Sequence, residues 1–178
     1  LYAALNLPSD KQITIITKDI VEHSDSFLAQ GGMCMLKSED DYDSYFEDTM
    51  KAGHYENNPK SVEVMIRSSV DVVNDLVKYG ADFHREPDGS FSYTKEGAHS
   101  HHRIIFHEDV TGKEITSTLL RNVEKLSNVT IYEHVTMVDI LCKDNYCYGV
   151  VARDAENKIF AIMANYTLLA CGGFGGIY

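Results

Sequence analysis

Leu1-Tyr2-Ala3-Ala4-Leu5-Asn6-Leu7-Pro8-Ser9-Asp10-Lys11-Gln12-Ile13-Thr14-Ile15-Ile16-Thr17 is the stretch whose reading decides the fold class. Leu1 to Leu7 reads as a helix end. Pro8 stops it, because proline lacks the N–H that a continuing helix needs, and Ser9-Asp10-Lys11 is polar. Ile13 to Thr17 is a β-branched run, the pattern of a strand buried in a parallel sheet. A helix followed by such a strand is the second half of a βαβ unit, so a first strand with a glycine-rich turn is expected upstream. The chain starts without methionine inside that helix and stops at Tyr178 after a glycine cluster. Both ends read as cut, and the chain as a piece of a longer protein.

Further along, two helices are predicted from periodicity. Asp40 to Ala52 carries Tyr42, Tyr45, Phe46 and Thr49 at helical spacing, with Gly53 as a stop. Ser61 to Tyr79 is the clearest helix: Val62, Met65, Ile66, Val70, Val73, Leu76 and Val77 follow the i, i+3, i+4 pattern before Gly80. Pro87-Asp88-Gly89 is a turn. Thr111 to Leu126 is a third helix, with Thr111 or Asp109 as candidate N-cap and Ile115, Leu119, Leu120 and Val123 inward. The last third reads as strands: Val129 to Tyr132, Met137 to Cys142, Tyr148 to Arg153 and Ile159 to Met163. Turns at Asp144-Asn145 and Ala155-Glu156-Asn157 are short enough for an antiparallel meander. Tyr166 to Ala170 is expected as a last buried strand running into Gly172-Gly173. The fold class is therefore α/β: a partial Rossmann-like domain with parallel strands, an antiparallel β-meander and packed helices.

Composition narrows the function. The chain has 178 residues, is 44% hydrophobic and 24% charged, and carries a formal net charge of -11. That is enough chain for one domain with a real core. The acidic balance argues against nucleic acid or an anionic membrane as partner, since both need a basic face. No apolar run approaches the length of a membrane span, and Leu1 to Leu7 lacks the basic leader of a signal peptide. Cys34, Cys142, Cys147 and Cys171 form no C-x-x-C pair and read as buried reduced thiols of a cytoplasmic protein.

Three segments carry chemistry. Ser24-Asp25-Ser26-Phe27-Leu28-Ala29-Gln30-Gly31-Gly32 follows the first strand, and its small residues and paired glycines let a backbone approach a phosphate or a ring; a plain turn is the competing reading. Leu168-Leu169-Ala170-Cys171-Gly172-Gly173 ends in a second glycine pair, and ligands of open α/β sheets gather at strand carboxyl ends; a tight turn competes equally. Glu96-Gly97-Ala98-His99-Ser100-His101-His102-Arg103 concentrates a carboxylate, imidazoles and a guanidinium. If extended, it puts His99, His101 and Arg103 on one face. Arg103 suits bidentate binding of a carboxylate. A zinc site on His99, His101, His107 and Glu96 is the rival, without a second ligand cluster to support it. Taken singly, each histidine reads as a hydrogen-bonded structural residue.

Together these segments resemble the L-aspartate oxidase family, within the fumarate reductase and succinate dehydrogenase flavoprotein group. The matching stretches are Ser26 to Gly32, Glu47-Asp48-Thr49 with Ala52-Gly53, Glu96 to His101 with Arg103-Ile104, Asp109-Val110-Thr111-Gly112, and Ala170-Cys171-Gly172-Gly173. The Glu-Gly-x-His-Ser-His element points to aspartate oxidase among its relatives.

The resemblance implies FAD-dependent oxidation of L-aspartate to iminoaspartate, feeding quinolinate and NAD synthesis, with oxygen or fumarate reoxidising the flavin. It implies that Lys18 sits at the ribose side. Asp25, Ser26, Phe27, Leu28, Ala29, Gln30, Gly31 and Gly32 would line the pyrophosphate and flavin. Met137 and Val138 would meet the adenine side by backbone, Gly172 and Gly173 would approach the cofactor, and Glu96 would face the substrate as the active-site carboxylate. In this reading the bends at Gly31 and Gly173 meet at neighbouring strand tips, with Glu96 facing the flavin ring. Relatives with covalent FAD carry histidine four residues before the alanine of Ala-Gln-Gly-Gly. Here that position is Asp25, so the FAD is expected to be non-covalent. Cys171 and Ala98 replace the family's common threonine and glycine. Residues 1–178 would then be an incomplete FAD-binding domain, lacking the first strand and the capping domain with its arginine acid/base, and inactive alone. The alternatives are a fumarate reductase or succinate dehydrogenase flavoprotein, and a non-enzymatic histidine-rich metal-binding fragment.

Overall fold

The structure, a computed structural model, describes residues 1–172. In chain order the elements are α1 (Tyr2–Asn6), β1 (Ile13–Ile16), α2 (Asp25–Leu28), β2 (Met33–Cys34), α3 (Tyr42–Ala52), α4 (Pro59–Tyr79), β3 (Ile104–Ile105), α5 (Thr111–Val123), β4 (Val129–Tyr132), β5 (Thr136–Lys143), β6 (Tyr146–Arg153) and β7 (Ile159–Met163). The α/β class holds: a parallel strand pair, antiparallel sheets and helices are all present. The chain divides into two compact units, one holding Ser26–Asn122 and the other Tyr2–Asp25 with the residues from Val123 onward.

In the first unit the core lies between α3 and α4. Leu36, Tyr45, Met50, Val62 and Ile66 form one buried cluster, with Cys34, Tyr42, Phe46 and Val70 packed against it. Each fully buried aliphatic side chain of this kind stabilises by about 1.5–3 kcal/mol. Helix α4 starts two residues before Ser61. Asn58 Oδ1 accepts the N–H groups of Lys60 (3.0 Å) and Ser61 (3.2 Å), and Pro59 fits the first turn, where no N–H is needed. Gly80 ends it at φ 100°, in the left-handed region. The inward stripe is Val62, Ile66, Ser69, Val73 and Leu76; Met65, expected inward, is 47% exposed. Ser69 belongs there because its hydroxyl is satisfied: Oγ donates to Ile66 O (2.6 Å) and accepts from Leu36 N (3.0 Å). Strands β2 and β3 pair antiparallel, Met33 with Ile105 and Cys34 with Ile104.

Helix α5 ends at Val123, three residues short of the expected Leu126. Thr111 is its first residue, and Thr111 Oγ1 accepts from His107 N at 3.0 Å. Leu119 and Val123 are buried as expected, but Ile115 and Leu120 are only half-buried, while Thr116 and Thr118 are buried. Thr118 Oγ1 is satisfied by Glu114 (3.2 Å) and by Arg121 (2.7 Å).

In the second unit β1 pairs in parallel with β4, Ile13 beside Val129 through Ile16 beside Tyr132. Val129–Tyr132 therefore belongs to the parallel pair and not to the meander. The meander is β5-β6-β7, antiparallel throughout. Its first turn is Asp144-Asn145, both at positive φ (52° and 64°), the geometry whose twist matches a two-residue hairpin. Asp154 Oδ1 shapes the second turn by accepting from Glu156 N (3.0 Å) and Lys158 N (2.9 Å).

Two expectations fail here. Tyr166 to Ala170 forms no strand, and Tyr166, Leu168 and Leu169 are 94%, 76% and 51% exposed. A strand needs a neighbour for its N–H and C=O groups, and no described segment pairs with this one. The cysteines are free but not buried: Cys34 and Cys147 are half-buried, Cys142 and Cys171 exposed. Cys142 lies on β5, most of whose side chains face outward.

Candidate functional site

Of the candidate site residues of the first unit, Ser26, Phe27 and Leu28 lie in α2, and Ala29 to Gly32 form a shelf that follows it. Leu28, Ala29, Gln30 and Gly31 are all exposed. The shelf rests on the start of α5, where Gly112 N donates to Ala29 O at 3.0 Å. A Cβ at Gly112 would overlap Ser26 O and stand 2.6 Å from Ala29 O, so only glycine lets the helix come this close. Gly32 is constrained in the same way, since a Cβ there would overlap Ile104 Cγ2 and Ile105 O. Both glycines are thus fixed by protein atoms packed against them.

Glu96 lies against this glycine pair. Its Oε1 accepts from Gly32 N at 3.1 Å, and its Oε2 is 3.3 Å from where a Cβ of Gly31 would be. Residues 64 apart in sequence are thus brought together. The carboxylate is carried by an irregular segment in which Ala98 adopts φ 69°. That left-handed conformation is one glycine adopts freely and alanine at a cost of about 1–2 kcal/mol.

Behind the segment, Arg103 is completely buried. Its Nε donates to Asp41 Oδ2 (3.1 Å), its Nη2 to Asp41 Oδ1 (2.8 Å) and Ser44 Oγ (2.7 Å), and its Nη1 to Asp48 Oδ2 (2.6 Å). Asp48 Oδ2 also accepts the N–H and the hydroxyl of Ser100, each at 2.7 Å. Arg103 does bind carboxylates, but those of α3 and its approach, not a substrate's. His99 and His101 gather on it: His99 Nδ1 is 3.4 Å from Nη1 and His101 Nδ1 is 3.3 Å from Nη2. His99 Nε2 also meets Cys34 Sγ at 3.3 Å, and His101 Nδ1 meets Ser44 Oγ at 3.0 Å. Both histidines are thus hydrogen-bonded within the protein. Among the described residues no cluster of three or more His, Cys, Asp and Glu side chains is set to hold a metal ion.

The charges follow from this packing. Burial acts to raise the Asp48 carboxyl, but the Ser100 N–H, the Arg103 guanidinium and the Ser100 hydroxyl outweigh it and hold the group at about 2. Asp41 is also held below the ordinary carboxylate value: burial pushes it up, and Arg103 and Ser44 more than offset that. For Arg103 burial works against the charge, yet Asp41 and Asp48 raise its pKa further. Burial pushes the Cys34 thiol up, opposed in part by Tyr45 and Arg103.

In the second unit, Lys18 is exposed just beyond the carboxyl end of β1. Thr17 O accepts from Val135 N at 2.9 Å, which ties that strand end to the start of β5, where Met137 and Val138 lie. Met137 pairs with Ala152, but the register jumps to Asp139, so Val138 falls in a bulge, 54% exposed. A bulge frees a residue's backbone groups from the ladder. Gly172 has φ 72°, and a Cβ on it would lie 3.4 Å from Asp25 Oδ2, so Asp25 and Gly172 come together. Gly173 lies outside the described residues, and with it the expected meeting of Gly31 and Gly173.

Comparison with known proteins settles the family. The profile of the FAD binding domain matches residues 1–177. The chain belongs to the FAD-binding domain family. Its relatives include L-aspartate oxidase of Clostridium perfringens, 42% identical over the whole chain and covered to 40% of its own length. L-aspartate oxidase of Clostridium acetobutylicum is 36% identical, with the whole chain and 41% of that protein covered. The chain thus spans about two fifths of the length of these relatives. Among solved structures, a FrdA mutant of E. coli quinol fumarate reductase superposes with a TM-score of 0.90 at 25% identity, over 99% of this chain and 31% of that one.

FAD fits the residues present. The domain offers an exposed, glycine-lined backbone shelf with a carboxylate on it. It offers a freed backbone position at Val138 and an exposed lysine after β1. Sequence reading missed the partners of Arg103, which are Asp41, Ser44 and Asp48. The only signal was the Glu47-Asp48-Thr49 match. Among the described residues no helix is long and apolar enough to cross a membrane.

Proposed function

We propose that the protein carrying this chain is an FAD-dependent L-aspartate oxidase, with residues 1–178 as an incomplete part of its FAD-binding domain. The observation that supports this reading best is the placement of Glu96 on Gly31-Gly32. It puts an exposed carboxylate of the Glu-Gly-x-His-Ser-His element on the backbone that would border a flavin ring. The names of the Clostridium relatives favour the same activity.

In this proposal the residues have separate tasks. Ser26, Phe27, Leu28, Ala29, Gln30, Gly31 and Gly32 offer backbone to the flavin and pyrophosphate. Asp25, Gly172 and Gly173 serve a close approach to the cofactor. Lys18 meets the ribose side, and Met137 and Val138 the adenine side through their main chain. Glu96 faces the substrate, L-aspartate. Bound FAD supplies a hydride acceptor for the substrate α-carbon, yielding iminoaspartate for quinolinate and NAD synthesis; oxygen or fumarate takes the electrons onward. Asp25 stands where covalent relatives carry histidine, so the cofactor is held without a bond to protein. The protein works in the cytoplasm, needs neither nucleic acid nor membrane, and the chain by itself is inactive.

A fumarate reductase flavoprotein is the second reading, favoured by the superposition on FrdA. The experiment uses the full-length protein. Aspartate-dependent peroxide formation, with no oxidation of succinate, is the expected result, and acid precipitation should leave all the flavin in the supernatant. Succinate oxidation without aspartate turnover would overturn the assignment, and flavin in the pellet would overturn non-covalent attachment.

A further inference from the structure

We propose that Arg103 is a positioning residue for Glu96: held by Asp41 and Asp48, it bolts the 96–103 segment to α3 so that the Glu96 carboxylate rests on Gly31-Gly32. The inference deepens the reading of Glu96 as the substrate-facing carboxylate and rests on it.

Residues 95–103 contain neither helix nor strand, so their course is set by attachments and not by a backbone ladder. The base of the segment is closed by Thr94 and Ile104, which exchange N–H···O bonds of 2.8 and 3.2 Å. Arg103 O accepts from Met35 N at 2.9 Å. At the far side Ser100 N and Oγ both reach Asp48 Oδ2. Glu96 lies between these pins, and its bond to Gly32 is its own hold on the shelf.

Arg103 unites the pins. It shares Asp48 Oδ2 with Ser100, and it forks onto Asp41 at the start of α3. A guanidinium with its donors engaged in this way and no exposed surface has none left for a substrate carboxylate. Nor is stability a sufficient reason for the arrangement. Well-packed apolar side chains in place of a buried ion pair are often neutral or stabilising, whereas such pairs can fix one conformation among several. Here the conformation fixed is the one that aims Glu96. Catalytic side chains are held in productive geometry by neighbours of this kind, and a displacement of about 1 Å can cost on the order of a hundredfold in rate.

The test compares full-length protein with Asp48→Asn, Arg103→Lys and a control, Val73→Ala, which weakens the buried face of α4 without touching a hydrogen-bonding group of the segment. Hydrogen exchange of the 96–103 amides and of Gly32 N–H is measured first. Exchange should quicken about tenfold or more in Asp48→Asn and in Arg103→Lys, and stay near wild type in Val73→Ala. The second arm is a double-mutant cycle on kcat/KM for aspartate, with Glu96→Gln. Asp48→Asn should lower kcat/KM about tenfold alone and add little once Glu96→Gln is present. Equal exchange in Asp48→Asn and Val73→Ala overturns the positioning role, as do effects that simply multiply in the cycle. If the exchange arm behaves as expected but no variant, wild type included, turns over aspartate, the activity reading falls and the positioning of Glu96 on the shelf stands.

Discussion

Replacing Gly112 by alanine sets two effects of opposite sign against each other. Helix propensity favours the change: glycine to alanine gains about 1 kcal/mol in a helix interior. The gain is smaller at Gly112, the second residue of α5. Sterics oppose it. The new methyl would overlap Ser26 O and lie 2.6 Å from Ala29 O and 2.8 Å from Ala29 Cβ. Two of these three atoms are backbone, so no rotamer change relieves the clash, and the shelf must move outward by on the order of 1 Å. Overpacking of this sort costs about 1–3 kcal/mol. Loss of the Gly112 N to Ala29 O bond adds about 1 kcal/mol. The net expectation for Gly112→Ala is a destabilisation of about 2 kcal/mol, read as a lower urea midpoint of the full-length protein. Because the displaced residues are those proposed to border the flavin, FAD affinity measured by fluorescence should fall about tenfold, equivalent to 1.4 kcal/mol. A variant as stable as wild type, with unchanged FAD affinity, would refute the close packing of α5 beneath the shelf.

Three further outcomes are expected. Asp48 is held at about 2, below its ordinary 3.8, so its contribution to stability is complete above the ordinary value and is lost as pH falls through the folded one. The displacement corresponds to about 2.5 kcal/mol before screening and about 1–2 kcal/mol with solvent nearby; acid titration of stability should show this loss between pH 4 and 2 in wild type and not in Asp48→Asn. Asn58→Ala should cost about 1 kcal/mol in urea unfolding by removing the cap of α4, with Asn58→Asp retaining most of it. A thiol reagent should label the exposed Cys142 well before Cys34, whose thiol is half-buried and raised by burial; equal rates would contradict the packing of Cys34 against the α3–α4 core.

Local chemistry was legible wherever one short segment sufficed. The stripe of α4 and its glycine stop, the Asp144-Asn145 hairpin and the three meander strands follow from periodicity and turn residues, and the structure reproduces them with shifts of a residue or two. The failures share a cause. Tyr166 to Ala170 has the composition of a buried strand, but composition does not supply a neighbour to pair with. Ser69 and Thr118 look like surface residues and are buried, because each hydroxyl finds a nearby partner. Met65 fits the apolar pattern, yet the stripe passes it by.

By itself the sequence determined the α/β class, the family and the residue types of the glycine-bearing shelf. Periodicity, glycine placement and a histidine-rich element are properties of short stretches of chain, readable in order. Only the tertiary structure decided that Glu96 lies on Gly32 and that Arg103 answers to Asp41 and Asp48, partners 64, 62 and 55 residues apart. Separations of that length leave no periodic trace, since a hydrogen bond depends on where two segments meet and not on the spacing within either. Arg103 reads in sequence as a free cation for a substrate; burial beside two carboxylates makes it an anchor.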